Sequence, residues 1–157
     1  MPPSHPMAFA PPSLGKLFSI LHWQTRIFVE KQLAHTGLTW GEFHILMRLY
    51  ARQQMTQSDI TRQLHITKAT TCKMVAKLEN DGYVTRERCP RDGRTFSIRP
   101  TAKALEVREM LRSISHRWND LLLAPFSPEE QEVLLQTLSR LAQRAVKANA
   151  GERTEET

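Results

Sequence analysis

TQSDITRQLHITKATTCKMVAKLENDGYVTRERCPRDGRTFSIR, residues 56–99, is the stretch that decides the fold. Thr56 is a hydroxyl N-cap for a short helix, with Asp59 in its first turn and Ile60 and Leu64 inward. His65-Ile66 makes a turn, and Thr67 caps a second helix running to Asn80. Along that helix Thr71, Met74, Val75 and Leu78 fall on one stripe. Lys68, Ala69, Cys72, Lys73 and Ala76 fall on the opposite one. Asp81-Gly82 ends it. Residues Tyr83–Arg99 follow as a basic hairpin with Asp92-Gly93 at its tip, flanked by Arg91 and Arg94. Two short helices with a tight turn between them, and a charged β-wing beside them, form a device for reading duplex DNA.

Outward from this stretch the chain reads as helical. Ser13 caps a helix to about Thr36, with Gly37 at its stop. Thr39 and Glu42 have the spacing of a capping box for a helix to about Arg52. Thr101 caps a long helix to about Leu123. Ser127, Pro128 and Glu130 open a last one through about Lys147. The fold class expected is mainly α with a small β-wing: a winged helix-turn-helix of six helices, dimeric through its N- and C-terminal helices. Residues 1–12, with five prolines, read as a disordered arm, and 148–157 as a flexible tail.

Charge sharpens the picture. The net charge is +6, and residues 62–103 hold 10 Lys+Arg against 4 Asp+Glu, so the remainder is neutral. An anionic partner is expected to meet that segment. Two cysteines, Cys72 and Cys89, give neither a disulfide framework nor metal spacing, which suits a reducing compartment. The N-terminus lacks the pattern of a signal peptide, and no apolar run is long enough to span a bilayer. The expected location is therefore the cytoplasm, with no membrane partner. Six histidines show no metal-ligand pairing, and no nucleophile elbow, P-loop or His/Glu pair is present. No cofactor, no metal and no enzymatic activity are expected.

The outer stripe of the second helix is small and polar near its start, which lets it sink between groove walls. Lys73 and Lys77 then reach phosphates, while Thr67 and Thr70 contact phosphate or a base edge. In the hairpin, Arg91 and Arg94 are placed to enter a narrow minor groove. Asp92, unwelcome beside phosphate, is expected to hold the Arg94 guanidinium in one orientation.

At these residues the chain resembles the MarR family of winged-helix regulators. The likeness runs from Leu14 to about Ala145. It is carried by Gly37-Leu38-Thr39, Ser58-Asp59-Ile60-Thr61, Thr67 with Thr70, Leu78-Glu79 with Gly82-Tyr83-Val84, Arg86, and the Asp92-x-Arg94 wing. The family's Asp-Arg-Arg is Asp92-Gly93-Arg94 here, and its Leu-Thr-x-x-Gly is Pro100–Ala104. The resemblance implies one MarR-like domain over 13–147. Within it, 38–101 is the winged helix-turn-helix, and 13–37 with 102–147 are the dimerisation helices. It implies a recognition helix in the major groove, a wing in the minor groove, and repression relieved by a small anionic aromatic or an oxidant. Arg86 joins the DNA-contacting set on the same ground.

The terminal helices carry more apolar surface than the reading module can cover, so a homodimer is expected through Leu14, Leu17, Leu21, Leu111, Leu122, Leu134, Leu138 and Leu141. His22, Trp23, Arg26, Trp40 and His44 mix aromatic surface with donors suited to an anionic aromatic effector. The function expected is a sequence-specific DNA-binding repressor on a pseudo-palindromic operator. One alternative is a redox-responsive version switched through Cys72 or Cys89. Another, of a different class, is a helical protein-interaction module with non-specific DNA binding.

Overall fold

A computed structural model describes residues 13–89 and 92–155, which divide between Trp40 and Gly41 into two compact units. The expected N-terminal arm, residues 1–12, lies outside the described residues.

The first unit is α1 (Leu14–Leu33) and the turn after it. The Ser13 hydroxyl accepts from the Lys16 N–H at 3.3 Å. Val29, Leu33 and Leu38 are buried, whereas Leu14, Leu17, Phe18, Ile20, Leu21, Trp23 and Ile27 are exposed along the helix.

The second unit holds α2 (Trp40–Arg52) from its second residue on, β1 (Met55–Thr56), α3 (Gln57–Leu64), α4 (Lys68–Asn80), β2 (Val84–Cys89), β3 (Asp92–Pro100), α5 (Ala102–Glu106), α6 (Arg108–Leu123) and α7 (Pro128–Glu155). The sheet is antiparallel in the order β1-β3-β2. Its outermost piece, β1, pairs Met55 with Ile98 and Thr56 with Ser97. A two-residue strand has no periodicity of its own, so the sequence showed only the hairpin. Ile45, Leu46, Leu49, Ile60, Val75, Leu78, Ile98, Leu111 and Ile114 form the buried core. Gly82, at φ 78°, makes the left-handed turn from α4 into β2. No described helix is long and apolar enough to cross a membrane.

The caps follow the sequence closely. Thr56 and Asp59 form a full capping box, and hydrogen bonds from Thr56 hold the Asp59 carboxyl below its usual range. Ser127 and Glu130 form another: the Ser127 N–H donates to Glu130 Oε2 at 2.8 Å, and the Glu130 N–H to the Ser127 hydroxyl at 3.2 Å. His65 ends α3 in the left-handed region, φ 53°, a conformation in which histidine is enriched.

Two helix boundaries differ from expectation. The described residues hold seven helices, not six, because the helix after Thr101 breaks at Val107 (φ −91°, ψ −1°). In an unbroken helix the Ala104 carbonyl would take the Arg108 N–H. Here the Tyr50 hydroxyl donates to that carbonyl at 2.6 Å, from 54 residues away. Moreover, α7 runs on to Glu155, through most of the expected flexible tail. Ala145, Ala148 and Ala150 propagate it, since each added residue gains a backbone bond once a helix exists.

Burial pushes the Tyr50 phenol up to about 12. Its stabilising contribution is complete below the unfolded value near 10 and is lost as pH rises toward 12. Tyr50→Phe should lower stability by about 1–2 kcal/mol at neutral pH. It should also flatten the loss of stability between pH 10 and 12. Urea unfolding across that pH range measures both.

Candidate nucleic-acid interface

The α3–α4 pair is set by one buried polar contact. The Thr61 hydroxyl lies 2.8 Å from that of Thr71, which is fully buried and donates to the Thr67 carbonyl at 3.1 Å. With Ile60, Val75 and Leu78 buried beside it, this fixes which side of α4 faces inward. The opposite side presents Lys68, Ala69, Cys72, Lys73 and Ala76, all exposed, as the periodicity predicted. Thr67 is the N-cap: its hydroxyl accepts the Thr70 N–H at 3.2 Å and lies 2.8 Å from the Thr70 hydroxyl. Thr67 is exposed and Thr70 half-buried, so Thr67 is the more accessible of the two.

Lys77, placed among the DNA contacts by the sequence, also has partners within the fold. Its ammonium lies 3.1 Å from Glu42 Oε2 and 2.8 Å from Asp81 Oδ2, and Glu42 is only 2% exposed. The hydrogen bond to Asp81 leads the causes that raise its pKa. A cation so held ties α4 to α2, although its side chain remains 43% exposed. Met74 reinforces the same approach, because a Cβ on Gly41 would fall 2.3 Å from its terminal methyl.

Arg86, also expected at the DNA, has a partner within the fold as well. Its Nε lies 3.0 Å from Glu79 Oε2, so it ties β2 to the end of α4.

The wing differs at its tip. Cys89 pairs with Asp92, so Asp92 lies in the strand ladder and not at the tip of a turn, and the Arg91 contact predicted from sequence lies outside the described residues. The register then shifts: Arg88 faces Phe96, and Gly93, Arg94 and Thr95 bulge from the ladder. Asp92 closes this bulge. Its Oδ1 accepts the Arg94 backbone N–H at 3.0 Å, and its Oδ2 accepts the Thr95 hydroxyl at 2.7 Å. Those bonds, the Thr95 one foremost, hold its carboxyl below the usual range. The expectation that Asp92 grips the Arg94 guanidinium is thus replaced: it grips the Arg94 backbone, leaving that side chain exposed.

Three features escaped the sequence. Gln57 Nε2 donates to Cys72 Sγ, placing an amide beside the exposed stripe. Gln54 Oε1 accepts from Arg99, whose Nε lies 3.4 Å from Glu87. The Arg88 guanidinium sits over Phe96, 5.6 Å from its centroid. Counting outward symmetrically from the tip sets Arg88 against Gly93; only the bulge brings Phe96 opposite.

The effector candidates are partly assembled. His22 stands edge-on to Trp23 at 5.4 Å and to Trp40 at 6.1 Å, and Arg26 lies over Trp23 at 5.6 Å. Arg26 is also paired with Glu30 at 2.9 Å. In the second unit, His44 stands edge-on to Phe43 at 5.3 Å. A shallow hollow of about 480 Å³ lies along the first turns of α7, between Phe126 and Thr137. Glu129 and Glu130 line it, so it suits no anion.

Of the candidate dimer residues, Leu111 is corrected: it is fully buried within its own chain and has no face left for a partner. Leu14, Leu17, Leu21 and Leu122 are exposed, and Leu134, Leu138 and Leu141 half-buried. Among the described residues no group of His, Cys, Asp or Glu is arranged to hold a metal.

Comparison with known proteins places this arrangement. The HTH-type transcriptional regulator BilQ of Clostridioides difficile (strain CD3) is 28% identical over 126 residues, 80% of this chain and 85% of the relative. The uncharacterized HTH-type transcriptional regulator YdgJ of Bacillus subtilis (strain 168) is 31% identical over 108 residues, 69% of this chain and 66% of the relative. The crystal structure of a MarR transcriptional regulator from Methanosarcina mazei Go1 superposes with a TM-score of 0.79 at 28% identity, covering 85% of this chain and 96% of that one. The MarR family profile matches residues 38–96, the segment from Leu38 through the wing. With its reading helix and wing in the order of those proteins, the chain belongs to the MarR family.

Proposed function

We propose that this chain is a cytoplasmic transcription repressor that binds a pseudo-palindromic operator as a homodimer. The observation that carries this is the exposed stripe Lys68, Ala69, Cys72, Lys73 and Ala76, small where a helix must enter a groove and cationic where it meets phosphate. Its relatives' names as HTH-type transcriptional regulators support the same reading. The exposed apolar run of α1 supplies the surface for a second copy. For release from DNA we infer a small anionic aromatic effector received by the rings of His22, Trp23 and Trp40. Arg26 meets it by exchanging Glu30 for the ligand's carboxylate.

Selection from random duplexes with purified protein should recover a pseudo-palindrome with half-site centres ~10 bp apart. Recovery of no preferred sequence would sink the operator reading. Sedimentation should give a dimer, and Leu21→Glu should yield folded monomer, since that side chain is 43% exposed in the single chain.

The two lysines of α4 should part company. Lys73→Ala should make the salt dependence of DNA affinity shallower by roughly 0.9 in log–log slope, with stability unchanged. Lys77→Ala should instead lower stability by about 1–3 kcal/mol, the range for taking a partner from a buried charge that solvent still reaches on one side. Chemical denaturation beside fluorescence anisotropy distinguishes them.

Asp92→Ala should weaken operator binding, although it removes a negative charge near phosphate. The bulge that carries Arg94 loses both its closing hydrogen bonds and must be ordered on binding. Tighter binding by this variant would show that electrostatic repulsion outweighs tip order.

A further inference from the structure

We propose that Arg88 is a phosphate-binding residue of the wing and that Phe96 is its positioning residue, an inference that rests on the DNA-binding reading above. Side chains alternate along a strand, so Arg86 and Arg88 share one face of β2. Arg86 reaches Glu79. Glu79 lies on the exposed stripe of α4, continuing Cys72 and Ala76 at helical spacing. Arg88 stands one pleat further toward the hairpin end, roughly 6–7 Å along the strand, on the side that carries the reading stripe.

Its neighbours differ from those of the ion-paired cations here. Arg86 has Glu79, Arg99 has Glu87 and Gln54, and Lys77 has Glu42 and Asp81. Among the described residues no carboxylate pairs with Arg88; its guanidinium lies over the Phe96 ring instead. A ring face attracts the cation without accepting any of its N–H donors. The charge is thus held in place with its hydrogen-bonding capacity unspent. Phe96, 40% exposed on a wing, contributes little to the core, and its ladder partner is Arg88.

The test is a salt titration of binding to a labelled random-sequence duplex about three helical turns long, where phosphate contacts dominate. Arg88→Ala should weaken binding on the order of tenfold at ~0.1 M salt and make the slope shallower by ~0.9, and Arg88→Lys should restore the slope. Phe96→Leu should weaken binding about two- to fivefold, and Phe96→Tyr should retain it. In the Arg88→Ala background, Phe96→Leu should change nothing further, a coupling that a merely structural role would not produce. Circular dichroism of each variant is the folding control, and Phe96→Met replaces Phe96→Leu if the latter misfolds. Wild-type affinity and slope in Arg88→Ala, with Lys73→Ala shifting both, would overturn the assignment and leave DNA binding standing. An equal effect of Phe96→Leu in both backgrounds would overturn the positioning role. Absence of salt-dependent binding by the wild-type protein would overturn the DNA reading and this inference with it.

Discussion

The ammonium of Lys77 stands between a buried carboxylate, Glu42, and the Asp81 carboxylate just past the end of its own helix. This contact decides where α4 points. A buried Glu is costly unless a cation stays beside it, so the helix cannot roll away from α2 without exposing that cost. The other inward contacts of α4 agree: Met74 at Gly41, and Thr71 within 2.8 Å of Thr61. With one side of the helix fixed at three points, the opposite side is defined by exclusion. The chemistry of the exposed stripe is therefore a consequence of what is locked inside.

The same logic changes how the positive charge of residues 62–103 is understood. Ten cations lie there, but several are occupied within the fold. Arg62 pairs with Asp59, Lys77 with Glu42 and Asp81, Arg86 with Glu79, and Arg99 with Glu87. Lys103 donates to the Asp81 carbonyl and lies over the Tyr83 ring. Half of the set is thus engaged within or between elements of the fold. The field a partner meets still reflects the whole sum, whereas the short-range donors are far fewer. Counting basic residues overstates the number of phosphates the protein can hold.

What the sequence made legible is local. Helix caps at Ser13, Thr56, Thr67, Thr101 and Ser127 are decided by residues three apart, and the stripes of α4 by helical period. What it hid is long-range. Glu42 and Lys77 are 35 residues apart, and nothing near Lys77 shows that its ammonium reaches a buried carboxylate. The Tyr50 bond to the Ala104 carbonyl, beside the break at Val107, spans 54 residues, and β1 is defined by its pairing with β3. In the wing, Asp92-Gly93 has the composition of a tight turn. It lies in the strand instead, where Asp92 pairs with Cys89 and the register shifts beside it. The site was accordingly half legible: the helix surface followed from periodicity, while the roles of Lys77, Arg86 and Asp92 required their partners.

The bulge in β3 has a consequence for how such a wing can change over time. The ladder inward of it is anchored by Ile98, buried at 1% exposure opposite Arg86; slipping by one residue would turn that side chain out of the core. Gly93, Arg94 and Thr95 stand outside the ladder and are held by a single carboxylate. Length and composition at these positions can drift without disturbing the strand register behind them. The protein thus separates a part that must be inherited intact from a part free to be rewritten, and the rewritable part is the one that carries an exposed arginine.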